Sequence, residues 1–237
     1  MKTQFFKLLA ITLLISSTSC KKEATIDYKY ADSPKVLACD FEKTQLYNEA
    51  VYSFENDIAA FYDKQNKAVT RAYGQFTSNA LNGRLKVEDI ASEHSLDIAK
   101  ALKTDASLWS VNGTNTTLNY SHPIVDCIVN NIKDNGLKTT FNALLSTNSM
   151  RPNLILTPLK NSSARLHSDG SLKTFVALEF YYSKLLNVDA SQLKKPEPEP
   201  VKTNEKVDFN KTPRPEMKRD DAPAIQVNKD DHTGHDH

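Results

Sequence analysis

Residues 40–72 read DFEKTQLYNEAVYSFENDIAAFYDKQNKAVTRA, and their spacing decides the fold class. Tyr47, Val51, Phe54, Ile58, Phe61, Gln65, Ala68 and Ala72 recur at alternating steps of four and three. Side chains three and four residues apart share one helix face, whereas a strand would repeat every second residue. The spacing therefore predicts one helix from about residue 41 to the mid-seventies. Asp40 is a good cap for its start. Glu49, Asp57, Lys64 and Lys67 fall on its solvent face, and Gly74 ends or bends it.

The same period recurs downstream. After an Asn82-Gly83 turn, Val87, Ile90, Ala91, Ile98, Ala101 and Leu102 share a face, which predicts a second helix over roughly 86–104. His94 lies on that face. It is either a ligand or acid–base group or a core-margin histidine with a hydrogen-bond partner, and its apolar company favours the second. Trp109, the only tryptophan, reads as a core anchor, and residues 112–120 read as a polar loop. His122-Pro123 opens a third helix, because proline at the first helical position needs no N–H partner. Ile124, Val125, Cys127, Ile128, Val129 and Ile132 make it apolar nearly all round, hence central, and Asn135-Gly136 closes it. Leu137, Phe141, Leu144 and Leu145 mark a short fourth helix ending near Ser146. Asp169-Gly170-Ser171 starts the last helix, striped by Leu172, Phe175, Leu178, Tyr182 and Leu185. Glu179, between Leu178 and Phe180, is either a buried carboxylate or exposed at the helix surface, and the surface position is the expectation.

Between residues 147 and 169 the pattern fails. Pro152 and Pro158 frame Leu154-Ile155-Leu156, so this stretch is expected to be a long irregular loop. Arg151, Arg165 and His167, with Lys160, either converge there on an anionic ligand or sit in solvent. The fold class is thus mainly α: a single helical bundle of about five helices over residues 39–190, with that loop. Its length suffices for one core burying close to ~70% of the unfolded surface. Six of the ten prolines follow residue 195, and Lys, Asp, Glu, Pro and Asn dominate to the end, so residues 191–237 are expected to form a disordered tail. That tail finishes with His232, His235, Asp236 and His237, which can hold a borderline metal such as Zn²⁺, Cu²⁺ or Ni²⁺ or stay a solvated terminus.

Composition excludes some functions. Lys+Arg number 30 against 29 Asp+Glu, so no basic excess steers the chain to nucleic acid. No zinc-protease, nucleophile-elbow, phosphate-loop, redox or di-iron motif occurs, and no other cofactor signature. That weakens the case for an enzyme, although catalytic residues scattered along a chain leave no motif.

The first twenty residues carry the address. Lys2 and Lys7 precede the apolar run Leu8–Ile15, and four small polar residues lead to Cys20. A basic start, a short apolar core and small residues before a cut make a secretory signal, and the run is too short to span a bilayer as a helix. Ser17-Thr18-Ser19-Cys20 resembles a bacterial lipobox, with Ser17 where an aliphatic residue is usual. The resemblance covers residues 1–20 only. It implies a signal peptide over 1–19, cleavage before Cys20, lipid on that cysteine and a tether over 20–38. Two or more acyl chains give stable attachment. Plain secretion with Cys20 as a thiol and an uncleaved anchor helix are the alternatives. Lys21-Lys22-Glu23 lacks the aspartate of inner-membrane retention and the acidity of surface export, so the resemblance implies an outer-membrane lipoprotein facing the periplasm, with the cell surface as the other site. The expected partners are the membrane and an unidentified envelope protein.

In an exported chain the two remaining cysteines, Cys39 and Cys127, are expected to pair, closing a loop of about 88 residues and adding on the order of 4 kcal/mol in the chain-entropy account. Two separate buried thiols would be the other arrangement.

Overall fold

A computed structural model describes residues 26–193. The chain divides into two units, Met1–Lys195 and Pro196–His237, and every described residue belongs to the first. The expected lipid site Cys20 and the expected metal residues His232, His235, Asp236 and His237 lie outside the described residues.

The fold is mainly helical. Helix α1 (Thr44–Tyr62) is followed by α2 (Val69–Leu81), a 3₁₀ turn (Val87–Asp89) and α3 (Glu93–Lys103). A second 3₁₀ turn (Ala106–Leu108) leads into β1 (Trp109–Asn112) and β2 (Asn115–Leu118), an antiparallel pair with Trp109 opposite Leu118. Then come α4 (Pro123–Asn130), α5 (Asn135–Ser146), α6 (Pro152–Asn161), α7 (Ser163–Leu166) and α8 (Gly170–Val176). From α8 the chain continues through a π-helical segment (Ala177–Tyr182) into α9 (Ser183–Leu185). Among the described residues, no helix is long and apolar enough to cross a membrane.

The opening seam is two helices, not one. Tyr47, Val51, Phe54 and Ile58 are buried as their spacing requires. At Asp63 the chain leaves the helix. The Asp63 carboxylate accepts hydrogen bonds from the backbone N–H of Asn66 (3.3 Å) and Ala68 (3.3 Å), and Lys67 takes a φ of 50°. An aspartate that satisfies nearby N–H groups offers the backbone an alternative to the helix ladder. The continuing four–three spacing of Phe61, Gln65 and Ala68 hid this break. The start is also later than Asp40: Thr44 Oγ1 accepts the Phe41 N–H (2.7 Å), while the Asp40 side chain pairs with Lys35.

Helix α4 buries Ile124, Val125, Cys127, Ile128 and Val129 as its apolar pattern requires. Helix α1 packs on α2, α3, α8 and the π segment. Phe54, fully buried, meets Phe76 at 5.0 Å, Tyr181 at 5.1 Å and Tyr73 at 5.7 Å between ring centroids. The π segment is buried throughout. Glu179, Phe180, Tyr181 and Tyr182 therefore all lie in the interior, continuing the buried run of Thr174, Phe175 and Val176 in α8.

His122 caps α4 as its Nδ1 accepts the Ile124 N–H, with Pro123 in the first turn. Asp169 caps α8 through the N–H groups of Ser171 and Leu172. Asn135-Gly136 opens α5 instead of closing the helix before it, because Asp134 caps that start through Leu137 N–H (3.0 Å). Residues 112–120 hold the turn and second strand of a hairpin, turned at Gly113 with φ 61°. The expected irregular loop over 147–169 is largely helical: Pro152 occupies the first turn of α6, where it fits, and Pro158 lies within that helix. Ile155 and Leu159 then reach the core.

Cys39 and Cys127 form a disulfide with Cα atoms 6.1 Å apart. It ties the segment before α1 to α4.

Candidate functional site

One stripe of α1 is polar and buried. Glu49, Ser53 and Asp57 follow each other at steps of four, and they are 1%, 2% and 4% exposed. Glu49 and Asp57 had been assigned to the solvent face. The face is covered instead by α3, by the π segment and by the chain before α1, so the helix has no free side there.

Each rung meets α3 or the π segment. Glu49 Oε1 lies 2.6 Å from His94 Nε2, and Ser53 Oγ lies 2.6 Å from Ser95 Oγ. Asp57 Oδ2 accepts from Ser95 Oγ (2.6 Å), Tyr181 Oη (2.6 Å), Ser92 N–H (3.1 Å) and Ser92 Oγ (3.2 Å). A buried carboxylate is tolerable when donors replace the water it loses, and Asp57 has four. Burial, with the negative Asp57 beside them, holds the Tyr181 and Tyr182 phenols well above their ordinary range. Tyr182 Oη donates to Ala50 C=O (3.0 Å). These hydroxyls are sealed, so they fix three elements to one another and meet no substrate while the domain is closed.

His94 is the core-margin histidine: its side chain is 10% exposed and bonded to Glu49. The far ends of Glu49 take two backbone donors, Lys29 N–H to Oε1 (2.8 Å) and Tyr30 N–H to Oε2 (2.9 Å). Residues that read as tether are therefore docked on α1.

A third buried carboxylate stands apart. Glu179, expected at the surface, is 1% exposed. The π turn carries it inward beneath β2, where its Oε2 accepts the Leu118 N–H (2.8 Å). Its Oε1 and the hydroxyl of Tyr120 are both buried, and neither has a hydrogen-bond partner of good geometry. Burial pushes the Glu179 carboxyl up to about 7, against the opposing pulls of the Leu118 N–H, the nearby Tyr120 hydroxyl and Lys184.

The three residues proposed for an anionic ligand are separated in role. Arg165 lines a cleft of about 170 Å³ with Lys133, Asp134, Ser162 and Asp169. Its guanidinium is bound to Asp134 (3.0 Å), and Lys133 Nζ donates to Ser168 C=O (2.8 Å), so the cations there are engaged. His167 faces Thr70 Oγ1 (3.3 Å) and Arg151 is exposed at the N-terminal boundary of α6; neither lines the cleft. His122 lies 3.8 Å from Asp105, and burial draws its pKa below the ordinary histidine value despite that carboxylate. Among the described residues no group of three His, Cys, Asp or Glu side chains has metal-holding geometry. Trp109 is the expected anchor, donating to Leu102 C=O (3.1 Å).

The four-residue step Glu49–Ser53–Asp57 was the available signal for the polar stripe, and it was outweighed by charge. The chain matches no protein-family model, no curated protein and no solved structure.

Proposed function

We propose that this chain is a lipid-anchored protein of the bacterial envelope whose helical domain works by binding or scaffolding. The observation that carries the reading is the Cys39–Cys127 bond. Such bonds persist in oxidising compartments, which is where the signal-like residues 1–19 would send the chain. Cys20 in its lipobox-like setting would then hold it at the outer membrane. The well-bonded polar stripe of α1 also supports a holding role. Its donors and acceptors are spent on one another, as suits a rigid head that presents a surface.

The test is metabolic labelling with an alkyne-tagged fatty acid. Label should appear on the chain, disappear in Cys20→Ala and follow the outer-membrane fraction. Label retained in Cys20→Ala, or none in the wild type, sinks the lipid anchor. Cross-linking in intact cells addresses the second half, and a domain that joins to no other envelope component would argue against a binding role.

A further inference from the structure

Residues 26–38 lie along α1 as a strap, and the way they are held differs from the rest of the fold. The strap forms no helix or strand; its backbone is gripped by side chains from one stretch of α1. Glu49 takes the N–H groups of Lys29 and Tyr30. Asn48 Oδ1 accepts the Val36 N–H (2.7 Å), and its amide reaches Pro34 C=O (3.4 Å). Tyr52 Oη donates to the same carbonyl (2.9 Å), while its ring stacks on Tyr30 at 5.7 Å. Near the other end the backbone passes over Gly170. A Cβ there would lie 2.1 Å from Val36 C=O, so the crossing needs glycine.

Burial along the strap is uneven and light. Leu37 is its one fully buried residue (3% exposed), two positions from the bonded Cys39; Ile26, Tyr28, Tyr30 and Val36 are partly covered, and the others are mostly exposed. A segment held by few buried apolar contacts and by hydrogen bonds near solvent opens at lower free energy than the core. Opening therefore starts at residue 26 and runs towards Cys39. There the bond to Cys127 stops it before α1 is reached. Leaving is tolerated by Glu49, since the carboxylate that loses two N–H donors gains water.

We propose that residues 26–38 are a releasable strap with a covalent stop, which unseats as a unit while the domain stays folded and so lengthens the reach of whatever the N-terminus is fixed to. Thirteen residues span up to about 45 Å when extended. The meaning of that reach rests on the lipid-anchored reading, but the strap itself does not.

Hydrogen exchange on the whole chain carrying Cys20→Ala, which cannot be lipidated there, separates the two. The amides of Lys29, Tyr30 and Val36 should exchange by an opening distinct from that of the α1 amides. Asn48→Ala/Tyr52→Phe removes three hydrogen bonds to the strap. In that variant the Lys29 and Tyr30 amides, whose own acceptor Glu49 is untouched, should exchange roughly tenfold faster or more, with α1 exchange and Tm unchanged. Strap amides that exchange only with α1, or a double variant that speeds both together, would overturn the proposal. Reduction of the disulfide supplies a second readout: opening should then extend to the residues beyond Cys39, and no extension would remove the stop.

Discussion

Glu179→Gln isolates the cost of one buried charge. Burial lifts the Glu179 carboxyl from its usual 4.5 to about 7. Between those values the folded chain holds a proton that the unfolded chain has released. Unfolding stability therefore falls as pH rises through this window, and the loss is complete above pH 7. A rise of about 2.5 units corresponds to about 3 kcal/mol at 1.36 kcal/mol per unit. Glutamine keeps an acceptor for the Leu118 N–H, brings a donor for the orphaned Tyr120 hydroxyl and carries no charge. Urea unfolding of both proteins at pH 5, 6, 7 and 8, disulfide intact, is the assay. The variant should match the wild type near pH 5 and exceed it by about 2–3 kcal/mol at pH 8. Comparing the two proteins at each pH cancels the other titrating groups. An equal difference at pH 5 and pH 8 would refute the reasoning, because it would show that the carboxyl does not titrate within this range.

Tyr181→Phe removes one of the four donors on Asp57 and should cost about 1.5–3 kcal/mol by denaturant unfolding, the range for a hydrogen bond to a charged group. Cys39→Ala/Cys127→Ala should lower stability by about 4 kcal/mol in the chain-entropy account, with wild type plus reductant falling to the same level. Truncation after Lys229 addresses the terminal His232, His235, Asp236 and His237: calorimetry with Zn²⁺, Cu²⁺ and Ni²⁺ should show weak binding by the full chain and less by the shortened one, and identical traces would rule out the tail as the ligand set.

Local chemistry was legible wherever one residue type fixes a backbone group. His122-Pro123 and Asp169 announced α4 and α8 because a cap and an N-terminal proline act within one turn. The Cys39–Cys127 pair followed from counting thiols in a chain expected to be exported. The apolar side of α1 followed from Tyr47, Val51, Phe54 and Ile58. The break at Asp63 did not, because apolar spacing carries no record of an aspartate that turns back on its own backbone. The 147–169 region misled for the opposite reason: two prolines suggested a loop, yet Pro152 stands where a helix start accepts it. Glu49, Asp57 and Glu179 were misplaced together. Periodicity assigns charge to the side away from the apolar seam, and it has no knowledge of what later covers that side.

Those three carboxylates are buried to a similar degree but differ in how they are satisfied, and the difference indicates where the fold can give. Asp57 has four donors from three residues, Ser92 capping α3, Ser95 within it and Tyr181 of the π segment, so it resists change from any one of them. Glu179 has one backbone donor and an unpartnered oxygen, so the Leu118 N–H favours its charge while burial opposes it. Glu49 lies between them. Of its three donors, only His94 belongs to the helical body; the other two are strap amides. Strap and α3 are thus joined through a single side chain, and withdrawing the strap leaves the Glu49–His94 contact facing water and no longer held from both sides. A backbone amide carries no side-chain specificity, so the exposed Lys29 side chain can change while its link to Glu49 persists, whereas Tyr30 is also held by its ring on Tyr52 and Val36 by its crossing at Gly170.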